Sequence, residues 1–445
     1  MPVEYLIIGN SAGGIGAVEA IREIDTTGSI MIVSGESYPV YSRPLISEYL
    51  AGERDLNGIM YRPPDFYEPM GIEVVFGKNA VSLNTAEKAV ELEDRQKVAY
   101  GKLLLATGGS PIIPPMAGNE KTGIFNFTTL DDARGIAETV QAGARTAVVI
   151  GGGLIGISVT DALRKLGLEV TIVELMDRIL GAVLDEQAAL LEREILEGEG
   201  VQFRTGRTVK EIIGSETDST RTGGVILDNG ERIDCDLVII AIGVVPRIDL
   251  ARGTDIQINR GILVNRHMET SAPGVYACGD VAESYDYIYE CDRVVPIWPN
   301  AHIGGRIAGY NMAGKEALYR GGTAMNSLKY FGLPVASAGM VNPASDSGCE
   351  VIARQDDGRY QKFVVQNNRL VGMVMVKDIA RAGIYYGLMR DQVKLNGLKD
   401  SLLSEKFGLI SLPEDILRKR LEVPDLCRLH VFHEVEKVEE SMVEG

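Results

Sequence analysis

The sequence predicts an α/β protein with two Rossmann-like three-layer domains and a third, α+β domain at the C-terminal end. Two copies of one order of elements predict the Rossmann-like domains. A strand, a glycine loop, a helix and a second strand follow one another between residues 3 and 33, and the same order returns between residues 147 and 173. After about residue 320 the pattern changes to consecutive short strands followed by helices. Strands that alternate with helices favour a parallel sheet, whereas consecutive strands favour an antiparallel one.

The first unit begins with an apolar strand, Val3–Ile8, and continues into a helix over Ile15–Ile24. Between them lies the first glycine loop, residues 9–14, with Gly9, Gly14 and, at the second glycine position of the G-x-G-x-x-G pattern, Ser11. Such a loop turns tightly, and the helix after it offers amide N–H groups and a positive dipole end to a pyrophosphate. Because serine is small, we still expect a dinucleotide-binding domain here.

The second glycine loop, residues 151–156, matches the pattern fully with Gly151, Gly153 and Gly156. Glu174 ends the next strand, 23 residues after Gly151. A carboxylate at this position can accept hydrogen bonds from an adenosine ribose 2′-OH and repels a 2′-phosphate. The spacing therefore predicts a site for NAD(H) rather than NADP(H), although Arg178 leaves NADP(H) open.

Composition excludes several other classes of protein. The chain has 445 residues, enough for about three domains. A formal net charge of −17 disfavours nucleic acid as a partner. No apolar run reaches the length that spans a bilayer, and the first residues lack the basic region of a signal peptide, so we predict a cytoplasmic location.

The cysteines are too scattered to indicate a metal site or a disulfide framework. The sequence contains no C-x-x-C spacing, and its five cysteines are Cys235, Cys278, Cys291, Cys349 and Cys427. Cys278 ends an apolar strand, which favours a packing role for its side chain.

Three further segments complete an ordered series of motifs. Leu103–Pro111 contains Thr107-Gly108 after an apolar strand, Val238–Pro246 repeats that arrangement with Gly243, and Gly274–Asp280 ends in Gly279-Asp280. With the two glycine loops, these segments give the chain an order of motifs that resembles the pyridine nucleotide–disulfide oxidoreductases, flavoprotein reductases with two dinucleotide sites. The resemblance covers about residues 3–315 with specific motifs and extends more weakly to about residue 395.

The resemblance implies a division into domains and two cofactors, FAD and NAD(H), with NADP(H) less favoured. Residues 1–115 and 245–320 would form a discontinuous FAD-binding domain and residues 116–244 an NAD-binding domain. Residues 321–445 would form a C-terminal α+β interface domain with a helical extension.

Site residues follow from the resemblance position by position. Glu36 would serve the FAD ribose and Asp280 the ribityl chain, and no catalytic side chain is required beyond the flavin itself. For FAD the motif positions are Gly9, Ser11, Gly14, Glu36, Arg43, Thr107, Gly108, Gly279, Asp280, Trp298 and Ala301. For NAD(H) they are Gly151, Gly153, Gly156, Glu174 and Gly243. We expect no metal ligands.

Two segments indicate which branch of the family the chain resembles. The flavin-side segment Tyr38–Ser47 lacks the redox cysteine that other members use, so thiol relay chemistry is not expected. The segments Tyr41–Gly52 and Pro296–Arg306 resemble reductases for rubredoxin, ferredoxins and nitrite. The second segment would start a helix whose positive end faces the flavin, with Trp298 against the ring or in the core and His302 on the helix surface.

The resemblance implies an FAD-dependent NAD(P)H:acceptor oxidoreductase. It would move a hydride between nicotinamide and flavin, and single electrons between flavin and an iron–sulfur protein or a partner subunit of a larger redox complex. Two alternatives stay open: an NADH oxidase that reduces oxygen, and an electron-transfer or assembly subunit without a substrate of its own. The residues after about 395 could form a docking surface, a homodimer interface or added core.

Overall fold

The computed structural model describes residues 2–412 and 414–421. Within them the chain forms strands β1–β25 and helices α1–α8. The strands are β1 Val3–Ile8, β2 Ile30–Val33, β3 Ile72–Val75, β4 Ala80–Asn84, β5 Ala89–Leu92, β6 Lys97–Leu105, β7 Gly109–Pro111, β8 Ile124–Phe125, β9 Thr146–Ile150, β10 Glu169–Glu174, β11 Gln202–Thr205, β12 Val209–Gly214, β13 Thr222–Leu227, β14 Arg232–Asp234, β15 Leu237–Ile240, β16 Val244–Pro246, β17 Ile262–Leu263, β18 Val275–Ala277, β19 Ala282–Asp286, β20 Cys291–Arg293, β21 Met325–Tyr330, β22 Leu333–Gly339, β23 Glu350–Asp356, β24 Arg359–Gln366 and β25 Arg369–Val376. The helices are α1 Ala12–Arg22, α2 Ile46–Leu50, α3 Leu130–Gln141, α4 Leu154–Lys165, α5 Glu186–Gly198, α6 Trp298–Met312, α7 Ala382–Arg390 and α8 Glu414–Leu421.

The first Rossmann-like sheet has the order β3-β2-β1-β6, with β18 also beside β6, and these strands are parallel. Strands β1 and β2 have the predicted bounds because, beyond Val3 and the exposed Glu4 at the start of β1, all their residues are apolar and buried. Strand β6 begins at Lys97, six residues before the predicted Leu103, because its first half pairs antiparallel with β5. Helix α1 begins at Ala12, inside the first glycine loop, and not at the predicted Ile15.

The second Rossmann-like sheet has the order β11-β10-β9-β15-β8, and all its pairs are parallel. Beside it lies a small antiparallel sheet, β12-β13-β14. The chain passes from the first sheet to the second and back through a two-stranded ribbon in which β7 pairs with β16. In both Rossmann-like sheets the glycine loop follows the carboxyl end of a parallel strand. Ligands bind at this edge in open α/β sheets.

The C-terminal part is an antiparallel sheet of order β21-β22-β25-β24-β23, and helix α7 packs against it. Its hairpin between β24 and β25 turns at Asn367-Asn368, and both residues have positive φ, +49° and +60°, as a type I′ turn requires. This arrangement confirms the predicted fold class: two Rossmann-like units followed by an α+β unit.

The segment after residue 395 contributes core as far as residue 412. Leu395, Leu402, Phe407 and Leu412 are buried together with Tyr385 of α7. Of the three possibilities for this extension, the structure shows added core for these residues. The S-x-x-E spacing of Ser411–Glu414 predicts a capping box ahead of a helix, but the segment includes Pro413, which lies outside the described residues, as do the C-terminal glutamates. No helix of the described part is long and apolar enough to cross a membrane.

Candidate functional site

A single long cavity of about 1770 Å³ connects the two glycine loops. All predicted site residues except Gly14 and Gly156 line it. Those residues are Gly9, Ser11, Glu36, Arg43, Thr107, Gly108, Gly151, Gly153, Glu174, Gly243, Gly279, Asp280, Trp298 and Ala301. The two exceptions lie behind the loops, where a Cβ at Gly14 would collide with the Gly9 carbonyl and one at Gly156 with the Gly151 carbonyl. These two glycines therefore permit the close packing of helix against strand.

The first glycine loop forms a cradle that fits a phosphate-bearing group. Gly9 has φ +122°, and a Cβ there would collide with the Ala106 carbonyl, so only glycine allows this turn. Asn10 lines the cavity, and its buried Nδ2 has no hydrogen-bond partner within the described residues. Its Oδ1 accepts a 2.9 Å hydrogen bond from Tyr67 Oη, which fixes the carboxamide. The unpaired donor and the amides at the start of α1 are suited to bind a pyrophosphate.

The second glycine loop has a similar shape. Gly151 has φ +106° and lies against the Ala241 carbonyl, whereas a Cβ at Gly153 would meet nothing within 4 Å. Gly153 is the N-cap of α4, so the helix begins facing open space in the cavity. This geometry again fits a pyrophosphate at a helix N-terminus.

Glu174 stands at the end of β10 with its carboxylate already oriented. Oε2 accepts a 2.6 Å hydrogen bond from Gly152 N and Oε1 accepts one of 2.7 Å from Met176 N. Arg178, also on the cavity wall, pairs with Asp177 at 3.1 Å. The carboxylate is thus hydrogen-bonded to the loop that would hold a pyrophosphate. Its spacing from that loop in the sequence is the one at which a ribose is recognised.

Glu36 and Arg43 contact each other, which the sequence did not predict. The Glu36 carboxylate forms an ion pair with Arg43 and accepts a 2.5 Å hydrogen bond from Tyr41 Oη. Arg43 also donates to the Thr128 carbonyl at 2.6 Å, and Tyr41 Oη accepts from Leu130 N at 2.9 Å. This network ties the segment after β2 to the start of α3. Much of the hydrogen-bonding capacity of Glu36 is used here.

Asp280 faces the same cavity from the turn after β18. Burial raises the pKa of this carboxyl, and the nearby Arg43 guanidinium opposes that shift. The residue is therefore an acceptor in a poorly solvated wall, next to one positive charge.

Helix α6 begins at Trp298, which lines the cavity and packs edge-to-face against Tyr61 with ring centroids 5.0 Å apart. The predicted helix is thus present, and its first turn faces the cavity. His302 was expected on the helix surface, but it is half-buried. Its Nδ1 lies 3.2 Å from Tyr61 Oη, and burial lowers the pKa of its imidazole. Packing of α6 across α1 accounts for the difference.

The cysteines have no disulfide partner in the part of the chain that the structure describes. Cys278 is fully buried in the cavity wall, and burial raises the pKa of its thiol to about 12. Its Sγ packs against Gly13, in agreement with the predicted packing role. Cys427 lies outside the described residues.

Comparison with known proteins identifies the family. A model described as pyridine nucleotide-disulphide oxidoreductase matches residues 3–305, and one described as rubredoxin NAD+ reductase C-terminal domain matches residues 325–393. The chain belongs to the pyridine nucleotide-disulphide oxidoreductase family. This family and its NADH-dependent members imply FAD and NAD(H) as the cofactors.

Two curated relatives and one solved structure illustrate the similarity. The chain is 30% identical to nitrite reductase [NAD(P)H] of Bacillus subtilis over 88% of its length, but spans only 48%, about half, of that relative. It is 30% identical to the NADH-dependent phenylglyoxylate dehydrogenase subunit epsilon of Aromatoleum evansii, covering 91% of this chain and 96% of that one. A NAD-dependent persulfide reductase from A. fulgidus superposes with a TM-score of 0.82 at 27% identity, covering 89% and 78% of the two chains.

The sequence motifs of this family did not reveal every residue on the cavity wall. Asn10, Lys78, Arg207 and Arg247 also line it. Lys78 follows β3 and Arg207 follows β11, so the rule that ligands bind beyond the carboxyl ends of parallel strands could have found both. The same rule could have found Asn10, which follows β1 inside the first glycine loop. Arg247 carries no such signal, because only the folded cavity brings it to the wall.

Proposed function

We propose that this chain binds FAD along the first glycine loop and NAD(H) along the second, and transfers electrons between NAD(H) and an iron–sulfur centre on another polypeptide. The observation that supports the proposal is the single cavity that joins the two loops. Two dinucleotides that lie in one cavity can bring their reactive rings together, which converts electron transfer between them into a reaction within one complex.

We also propose the division of the chain into domains: residues 1–115 and 245–320 for FAD, 116–244 for NAD(H) and 321–445 as the interface domain. The ribbon of β7 and β16 supports the first two boundaries, because both of its strands lie where the chain passes between the Rossmann-like sheets.

The FAD half of the site relies on backbone and a few polar groups. Bound FAD supplies two-electron chemistry towards a nicotinamide and one-electron chemistry towards an iron–sulfur centre. The amides after Gly9 and the Asn10 carboxamide would hold the pyrophosphate, and Asp280 would accept a hydrogen bond from the ribityl chain. The first turn of α6, which contains no acidic residue, would place the positive end of its dipole beside the reduced ring and stabilise negative charge there.

In the NAD(H) half, the start of α4 would hold the pyrophosphate and Glu174 would accept hydrogen bonds from the adenosine ribose. Its carboxylate is fixed by Gly152 N and Met176 N, so it needs no reorganisation when the nucleotide binds. A fixed negative charge at this point repels a 2′-phosphate, which supports NADH over NADPH. We propose Gly243, which follows β15 and lines the cavity, as a further backbone contact.

An iron–sulfur partner is supported by two similarities. The C-terminal sheet matches a domain named for rubredoxin reductases, and a relative of nearly equal length is named as a subunit of an NADH-dependent dehydrogenase. The partner would be a free ferredoxin or rubredoxin, or a neighbouring subunit. The test compares NADH-driven reduction of iron–sulfur proteins from the source organism with reduction of oxygen. We expect an iron–sulfur protein to be the faster acceptor, and faster reduction of oxygen than of every such protein would replace this proposal with an oxidase.

FAD retention tests the assignment of Asp280. Because Asp280 would accept a ribityl hydrogen bond from within the cavity wall, we expect Asp280→Ala to lose most of its FAD on dilution. Asp280→Asn keeps an acceptor of the same shape and should retain more. Flavin content per chain after gel filtration measures both, and full retention in the alanine variant would contradict the assignment.

A further inference from the structure

The loop of residues 175–185, between β10 and α5, forms one wall of the NAD(H) half of the cavity. Leu180 N donates a 2.8 Å hydrogen bond to the Gly152 carbonyl, and the Ile179 side chain packs against Gly152. A movement of this loop therefore moves the second glycine loop. Several of its residues line the cavity: Leu175, Met176, Asp177, Arg178, Leu180, Gly181, Ala182 and Val183.

The loop adopts a conformation that needs support from outside. Leu180 is buried, 2% exposed, and has φ +53°, in the left-handed region that non-glycine residues rarely adopt. Such a residue keeps its conformation only when its surroundings fix it. The neighbouring carbonyls of Gly181 and Leu184 supply the points of attachment.

That support comes from the C-terminal sheet. Asn342, in the turn after β22, donates from Nδ2 to the Gly181 carbonyl and to the Leu184 carbonyl, at 3.0 Å each. The preceding Val341 is buried against the core of the second Rossmann-like unit. The exposed carboxamide of Asn342 thus fixes both ends of the turn that forms this part of the cavity wall.

A second contact holds the end of the same loop. Asp185 is the N-cap of α5 and accepts from Ala188 N at 3.1 Å. Its other oxygen accepts from Tyr360 Oη at 2.5 Å and from Lys362 Nζ at 2.9 Å, both on β24. Asp185 is buried, so its loss would also damage the fold, whereas Asn342 can be changed at the surface.

We propose that Asn342 is a positioning residue for the nucleotide: it holds the loop of residues 175–185 in the conformation that binds NAD(H), without touching the nucleotide. This inference rests on the proposed NAD(H) site. When a binding-competent conformation is only partly populated, the apparent dissociation constant rises by the inverse of that fraction. Loss of the two hydrogen bonds would therefore appear as weaker nucleotide binding and not as slower chemistry.

The first test measures ADP-ribose binding to the FAD-loaded full chain by calorimetry. We expect Asn342→Ala to raise its dissociation constant about threefold to tenfold, tenfold being about 1.4 kcal/mol. The KM for NADH should rise equally while kcat stays unchanged, as for a contact made equally in ground and transition states. Asn396→Ala is the matched control, because this exposed carboxamide bonds Asn368 at 2.6 Å, within the C-terminal part. We expect its binding to equal that of the wild type.

Asn342→Asp separates donation of hydrogen bonds from packing. The aspartate keeps the volume of the side chain but replaces the donor with an oxygen that faces two carbonyls. We expect it to weaken ADP-ribose binding at least as much as Asn342→Ala. A residue that only fills space would show the opposite order, with the aspartate variant closer to the wild type, and that order would overturn the proposal.

Hydrogen exchange gives a readout that requires no nucleotide. The amides of Val183 and Leu184 should exchange faster in Asn342→Ala, while those within α4 should not. Wild-type affinity in both Asn342 variants, or unchanged exchange of this loop, would overturn the inference. A wild-type chain that binds no ADP-ribose would instead refute the proposed NAD(H) site, so the two failures are distinguishable.

Discussion

Glu192 lies in the middle of α5 with a side chain that is 1% exposed, and neither of its carboxylate oxygens has a hydrogen-bond partner among the described residues. Burial, and to a lesser extent the negative charge of Asp161, raises the pKa of this carboxyl to about 7. The folded chain thus holds this proton more tightly than the unfolded chain does. Its contribution to stability is full at low pH and is lost as the pH rises from about 4.5 to about 7.

Removing that charge should stabilise the protein only at high pH. A shift of about 2.5 units corresponds to at most about 3 kcal/mol of unfolding free energy. We therefore expect Glu192→Gln to raise the unfolding temperature clearly at about pH 8 and little at about pH 5. Glu194→Gln, on the exposed side of the same helix, is the control. Equal stabilisation by Glu192→Gln at both pH values would show that packing and not titration causes the effect.

Glu174 tests the cofactor preference. Its carboxylate would accept hydrogen bonds from the ribose, so we expect the wild type to prefer NADH by about ten- to a hundredfold in kcat/KM. Glu174→Gln keeps the shape of the side chain but removes the repulsion of a 2′-phosphate, and should reduce that ratio. Steady-state kinetics with both nucleotides measures it. Equal values in the wild type, or a preference for NADPH, would refute the assignment.

At the scale of elements, the contact between α1 and α6 fixes the geometry of the half of the cavity that we propose for FAD. A Cβ at Gly305 would collide with the Gly13 carbonyl, and one at Gly309 with the Ala17 carbonyl. The two helices therefore cross at a distance that only glycine permits. This contact places the first turn of α6, with Trp298, beside the first glycine loop.

Widening this contact should reduce stability and FAD affinity together. We expect Gly309→Ala to force the helices apart, at a cost of about 1–3 kcal/mol in unfolding free energy. Gly383→Ala in α7 is the control, because a Cβ there would meet nothing within 4 Å and alanine favours a helix. Thermal unfolding and flavin content measure both effects. A wild-type unfolding temperature and flavin content in Gly309→Ala would show that the helices can separate without loss of stability.

The sequence predicts those elements whose cause is local. Strands β1 and β2 were predicted with correct bounds because a parallel strand buried on both faces is a nearly continuous apolar run, which here only Glu4 interrupts. The first half of β6 was missed because it alternates between buried and exposed residues in an antiparallel arm. The glycines of both loops were placed on or directly behind the cavity wall because their backbone turn requires that residue type.

Contacts between distant segments could not be predicted in the same way. The ion pair of Glu36 with Arg43 depends on how the segment after β2 folds back on itself. Asn342 and Gly181 are 161 residues apart, and nothing in either segment indicates that they meet. Such contacts become visible only when the two Rossmann-like units and the C-terminal sheet are assembled.

In the molecule as a whole, the C-terminal sheet contacts the second Rossmann-like unit at several points. Phe331 N donates to Asp161 of α4 at 3.2 Å, in addition to the contacts of Lys362 with Asp185 and of Asn342 with the loop of residues 175–185. Each of these contacts joins the C-terminal sheet to elements around the half of the cavity that we propose for NAD(H). The two halves of the one cavity are thus built by different parts of the chain.

We propose above all that NAD(H) and FAD react directly within this cavity, without a thiol relay. Anaerobic titration of the FAD-loaded protein with NADH, followed by the flavin absorbance, tests it most directly. We predict complete bleaching at one NADH per bound FAD, both in the wild type and in a folded variant in which all five cysteines are replaced. Absence of bleaching in the wild type, or its loss in the cysteine-free variant with FAD still bound, would contradict the account.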